Sequence, residues 1–173
     1  EPLSQFYANH PEVFGCNEPE FPVRMTITCN EGFQSYQSHP DDAYALEHDG
    51  CRGKVSGAVA LRESDHVGTW LFGHKASSRE EFRALIDAKD WDNLFSVLEV
   101  KDGDFVHTPA GVIHGGWGSG IVSATFGTNG DLTYRFYDND RNDPNRPLEI
   151  EKVCDCASFP ELPFCSKHVE PVK

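Results

Sequence analysis

Along most of the chain, apolar and polar residues alternate at the two-residue period of a β-strand. Val23, Met25, Ile27 and Cys29 alternate with polar neighbours and predict a first strand, closed by the turn Asn30-Glu31-Gly32. Phe33 to His39 predicts a second, with Phe33, Ser35, Gln37 and His39 on one face. Val55 to Leu61 and Val67 to Phe72 read as strands separated by the polar run Arg62-Glu63-Ser64-Asp65. The pattern returns at Val97 to Val100, Asp104 to Thr108, Ile121 to Phe126 and Leu132 to Tyr137, with turns at Lys101-Asp102-Gly103 and Thr128-Asn129-Gly130. Many short strands at even spacing predict a mostly β domain, a sandwich or a barrel.

Helical spacing is confined to short stretches. Leu3, Phe6, Tyr7, His10 and Phe14, followed by Gly15, predict an opening helix with a glycine stop. Pro40 suits the first turn of a helix over Asp41 to Glu47, ended by His48-Asp49-Gly50 and capped by Asp41 and Asp42. Ser77 or Ser78, with Glu80 or Glu81 three on, forms a capping box for a helix whose apolar face is Phe82, Leu85 and Ile86. A second short helix holds Trp91, Leu94 and Phe95, and Leu148 to Cys154 reads as a last strand or helix. The expected organisation is one domain over 1–173, with a helical opening segment at 1–20, a helical insertion at about 77–95 and a polar, proline-rich tail at about 141–173.

Composition narrows the partners more than the fold. With 38% hydrophobic residues the chain can bury a core. A formal charge of −13 argues against nucleic acid or an anionic membrane as a partner. An anionic small molecule would need a local cluster of Lys or Arg. No apolar run is long enough to span a bilayer, and no signal peptide is visible, although the chain opens on Glu1-Pro2-Leu3 without Met. The cysteines at 16, 29, 51, 154, 156 and 165 are scattered, which is expected of free thiols in a cytoplasmic protein. Cys154-Asp155-Cys156 with Cys165 offers a metal clip, but its spacing fits no common zinc module.

The candidate chemistry lies in two places. Gly103-Asp104-Phe105-Val106-His107-Thr108-Pro109-Ala110-Gly111-Val112-Ile113-His114 reads as a strand, a Pro-x-Gly corner and a histidine at the start of the next strand. Upstream, Gln37-Ser38-His39-Pro40-Asp41-Asp42 places Gln37 and His39 on one strand face. Two strands aiming imidazoles at one interior can hold a single divalent metal. Each residue also has a plain reading: Gln37 and His39 as a solvated strand face, His114 as a hydrogen-bonded loop histidine, Lys54 as a surface lysine and Arg135 as a structural ion pair. His10, His48, His66, His74 and His168 show no partner spacing.

The same residues resemble a known family. Gln37 to Asp42 resembles the Q-x-H-P-D-D signature of the type I mannose-6-phosphate isomerases. Gly53-Lys54 falls where that family has G-K-x-E, and Pro109 to His114 resembles its P-x-G-x-x-H. Tyr134-Arg135-Phe136-Tyr137-Asp138 through Asp140-Arg141 resembles the Y-R-x-Y-D-x-D-R run of its short bacterial members. Gly73 to Ser77, Glu80 to Phe82 and His10 to Gly15 fit those members too. The resemblance implies a cupin-type jelly-roll barrel with a helical insertion, and family segments absent from this chain on both sides.

It also implies a divalent metal, usually zinc, held by Gln37, His39, His114 and a glutamate, and a phosphorylated sugar or other small carbohydrate as ligand. Lys54 and Arg135 would hold the phosphate or neutralise an oxyanion during aldose–ketose interconversion. Two departures stand against full activity: Ser56 replaces the glutamate of G-K-x-E, and Thr125 replaces a glutamate ten positions before Arg135, while Asp131 keeps its expected place. Without Ser56 as glutamate the shell has two imidazoles and one amide and no negative charge. His107 offers a replacement ligand if it faces inward. Three readings follow: a working metal-dependent isomerase of sugar phosphates with an altered ligand set, a catalytically degenerate carbohydrate-binding or regulatory relative, or a cupin enzyme of other chemistry.

Overall fold

The computed structural model describes residues 1–16, 18–29, 31–61, 68–118, 120–161 and 166–169. The run 62–65, His66, the strand start at Val67, the turn residue Asn30 and the Cys165 of the possible metal clip lie outside the described residues. The strands are β1 (Val23–Cys29), β2 (Phe33–Ser38), β3 (Ser56–Leu61), β4 (Gly68–His74), β5 (Phe95–Val100), β6 (Asp104–Thr108), β7 (His114–Trp117), β8 (Val122–Thr128), β9 (Tyr134–Tyr137) and β10 (Ser166–His168). They form two antiparallel five-stranded sheets, β1-β8-β3-β6-β10 and β5-β4-β7-β2-β9. The mostly β, jelly-roll expectation is met by two facing sheets; among the described residues no ladder joins them into one closed sheet.

The helices are α1 (Leu3–Asn9), α2 (Pro11–Phe14), α3 (Asp42–Asp49), α4 (Arg79–Asp87), α5 (Trp91–Leu94) and α6 (Ile150–Cys156). The expected single opening helix is two. Pro11 lacks an N–H and disfavours helical backbone at His10, which adopts φ −136° between them. α3 begins one residue later than expected: Asp41 is its cap, accepting from Tyr44 N at 2.8 Å. The capping box of α4 forms with Ser78 accepting from Glu81 N, while Glu81 reaches back to Ser77 N. Phe82 and Ile86 are buried, and Leu85 is half-buried. The segment ending at Cys154 resolves as helix α6, not strand.

Two cores hold this arrangement. Phe82, Ile86, Leu94, Val153 and Cys154 from the helices pack on Phe95, Ile113, Tyr134 and Phe136 of the second sheet and its connections. Between the sheets, Ala60, Phe72, Val100, Val106, Val112 and Ile121 fill the interior. Cys154 lies in the first core and Cys156 packs against it; the five described cysteines are free. Among the described residues no helix is long and apolar enough to cross a membrane.

β1 inverts the usual rule. Its apolar residues Val23, Met25 and Ile27 are 49%, 61% and 58% exposed, while Arg24, Thr26 and Thr28 turn toward the space between the sheets. That space is a cavity at this end of the molecule, so the polar face of the strand is the inner one.

Candidate functional site

The cavity is about 320 Å³ and is lined from both sheets. Small-molecule sites begin at roughly this size. Gln37, His39, Lys54, Ser56, His114 and Thr125 all line it, so most of the residues singled out from the sequence converge.

Three loops bring them together. The His39 carbonyl accepts from Gly111 N at 2.8 Å, which sets the Pro-x-Gly corner beside the first motif. The Pro40 carbonyl accepts from Lys54 N at 2.9 Å, and the Asp42 carboxylate from Gly53 N at 2.9 Å. A Cβ on Gly53 would lie 2.3 Å from the Asp41 carbonyl carbon, so only glycine lets the two segments touch. Asp42 therefore serves to join the loops, while Asp41 caps the helix.

The second strand does not keep the plain alternation expected of it. Gln34 pairs with Gly116 and Gln37 with His114, so Ser35 and Tyr36 stand opposite Gly115 alone. This is a β-bulge. Phe33 and Tyr36 turn to the helix-packed core, while Gln34 and Gln37 face the cavity. Gly115 permits it, with φ +141° and a position where a Cβ would meet the Ser35 carbonyl oxygen at 2.2 Å.

The two imidazoles are close, with ring centroids 5.1 Å apart. His39 Nδ1 donates to the Leu132 carbonyl at 2.9 Å, and His114 Nδ1 to the Val112 carbonyl at 3.1 Å. These bonds place the proton on Nδ1 and leave a lone pair on each Nε2. Ser35 Oγ donates to Gln37 Oε1 at 2.7 Å, and the Gln37 amide nitrogen points at His114 Nε2 at a long 3.4 Å. Burial holds His39 well below its ordinary range, helped by the charges of His114 and Lys54. Burial likewise pushes His114 down to about 4, with Lys54 adding to the effect. Both rings are neutral at pH 7. Lys54 is itself lowered by burial and, among the described residues, is in no ion pair.

Arg135 is not itself a lining residue, but it shares a sheet face with Gln37 and its charge helps to lower His39. It pairs in register with Gln37 from β9, and its Nε is buried with no hydrogen-bond partner. His107 pairs with Gly57 and is not a lining residue, whereas the next residue, Thr108, is. Among the described residues no group of three or more His, Cys, Asp or Glu side chains could hold a metal ion. Arg24 and Trp117 also line the cavity and were missed in the sequence. The signal for Arg24 is its place on the polar face of an alternating strand, which here is the inner face.

No protein-family model matches the chain. Curated relatives do. A mannose-6-phosphate isomerase of Streptococcus mutans is 40% identical over 91% of this chain and 51% of its own length. A probable mannose-6-phosphate isomerase of Bacillus subtilis is 35% identical over 92% and 52%. The crystal structure of the mannose 6-phosphate isomerase from Bacillus subtilis superposes with a TM-score of 0.83 at 31% identity, over 92% of this chain and 52% of that one. A putative mannosephosphate isomerase structure from Archaeoglobus fulgidus, 18% identical with a TM-score of 0.70, shares the fold. The chain spans about half the length of the relatives it matches. By sequence and fold together, the chain is similar to mannose-6-phosphate isomerases over about half of their length.

Proposed function

We propose that the cavity binds a phosphorylated sugar of the mannose 6-phosphate kind and does so without a resident metal and without isomerising it. The observation that carries this reading is that Ser56 and Thr125, which stand where family members have glutamates, line the same cavity as the histidine pair and Lys54. The binding elements persist. Thr26, Thr28, Thr69, Gln34 and Ser123 offer hydroxyls and an amide for sugar hydroxyls, Trp70 and Trp117 offer flat apolar faces, and Lys54 offers charge.

The catalytic elements do not. Moving a proton between C1 and C2 needs a base matched to neutral pH and a group to stabilise the enediolate. Among the described lining residues the one carboxylate is Asp131, which is 77% exposed and paired with Arg24 at 2.6 Å. A histidine with its pKa at about 4 is a poor base at pH 7.

The side chains that the resemblance assigns to a metal come together as neutral donors, a weaker set for zinc than one with a carboxylate. The set carries no negative charge, and Lys54 adds a positive one nearby. The retained Gln37, His39, Lys54 and His114 favour a second reading, a working isomerase with an altered site.

Calorimetric titration with mannose 6-phosphate and with mannose, alongside a coupled isomerisation assay with added zinc, decides between them. The expected result is binding of the phosphorylated sugar at least about tenfold tighter than the neutral one, lost in Lys54→Met, with no turnover above background. Zinc-dependent turnover by the unaltered chain would establish the second reading instead.

A further inference from the structure

Resting on the reading that this cavity takes a sugar phosphate, we propose that Arg24 is a phosphate-recognition residue of the site and that Asp131 is a built-in competitor holding its guanidinium until an anionic ligand displaces it. Arg24, Gly127 and Ser56 are register partners across β1, β8 and β3, so they form one row on the inner face of the first sheet. Gly127 allows this close approach, since a Cβ there would lie 2.9 Å from the Ser56 Cβ. Lys54 lines the cavity two residues before Ser56. Two cations thus border one part of the cavity, where an acidic chain most needs them.

Asp131 is the counter-charge. Its Oδ1 lies 2.6 Å from Arg24 Nη1, and both groups remain solvated, 77% and 46% exposed. A solvated pair of this kind is weak. A phosphate brings two charges and three acceptor oxygens, and an arginine can meet it with two parallel N–H donors. Exchange of carboxylate for phosphate therefore favours the ligand. It requires only that Asp131 turn its side chain away, because the following residue is fixed by its carbonyl on His39 Nδ1. The electrostatic coupling of Lys54 to both Asp131 and Arg24 shows that the three charges share one field. With Asp131 withdrawn, that field is wholly positive.

The test compares the unaltered chain with Asp131→Asn, Arg24→Gln and the double variant. Each is titrated with mannose 6-phosphate, inorganic phosphate and mannose, after thermal unfolding shows the variants folded. Asp131→Asn is expected to tighten both phosphate-bearing probes about two- to fivefold and to leave mannose unchanged. Arg24→Gln is expected to weaken mannose 6-phosphate about tenfold or more. In the double variant the gain from Asp131→Asn should vanish.

If Arg24→Gln binds mannose 6-phosphate as tightly as the unaltered chain, or the Asp131→Asn gain persists without Arg24, the proposal fails while the sugar-phosphate reading stands. If the unaltered chain binds neither phosphate-bearing probe, both fail together.

Discussion

Restoring the two carboxylates, with Ser56→Glu and Thr125→Glu in one chain, is expected to tighten zinc binding on the order of 100-fold and to raise isomerisation of mannose 6-phosphate well above that of the unaltered chain. The physical reason is charge. Two neutral imidazoles and an amide ask a divalent ion to give up its water for ligands that do not neutralise it. A carboxylate at 56 supplies that charge from the same sheet row as Arg24, on the cavity lining. A carboxylate at 125 adds a group able to accept a proton. Zinc affinity read by competition with a chromophoric chelator separates the two effects, since Ser56→Glu alone should account for most of the binding. A double variant that binds zinc no better than the parent would show that the histidine pair is not placed for a metal.

Acid is expected to destabilise the unaltered chain through the same two histidines. Both have pKa values depressed by burial, so the folded state holds them neutral while the unfolded chain protonates them near 6.5. The stabilisation is fully present above pH 6.5. It is lost as the pH falls from there toward about 4, the folded value for His114. For His114 alone this amounts to about 2 kcal/mol between pH 7.5 and pH 5. Urea unfolding at the two pH values, in the parent and in His114→Asn, reads this directly. The parent should lose more stability than the variant by about that amount, and equal losses would mean that His114 is solvated.

The strands were legible because alternation persists through nearly all of them, and α4 was legible from its capping box. What alternation could not show is the bulge at Ser35 and Tyr36. It depends on a glycine at position 115, eighty residues away in sequence, allowing the Ser35 carbonyl to approach. For that reason Phe33 was placed on the face of Gln37 when it belongs to the core behind it. The break between α1 and α2 was written in Pro11, but the helical spacing running through it was given more weight.

The convergence of Gln37, His39, Lys54 and His114 came from motif likeness, and the loops that tie them together explain it physically. Asp42 and Gly53 are as necessary to the site as the residues that face the cavity. Arg24 was overlooked because polar strand faces ordinarily point to water. Here the interior at this end is a polar cavity and the apolar face of β1 is the exposed one. Arg135 was assigned to the site from its motif, and its register with Gln37 puts it on the same sheet face as that cavity residue.

On the proposed reading, this cavity holds a sugar phosphate by hydroxyls, amides and cationic side chains, with no metal in the contact. The dissociation constant for mannose 6-phosphate, measured once in excess chelator and once in saturating zinc, tests it most directly. The two values are expected to agree within about twofold, since no ligand atom would rest on a metal. Binding that disappears in chelator, or tightens about tenfold with zinc, would contradict it.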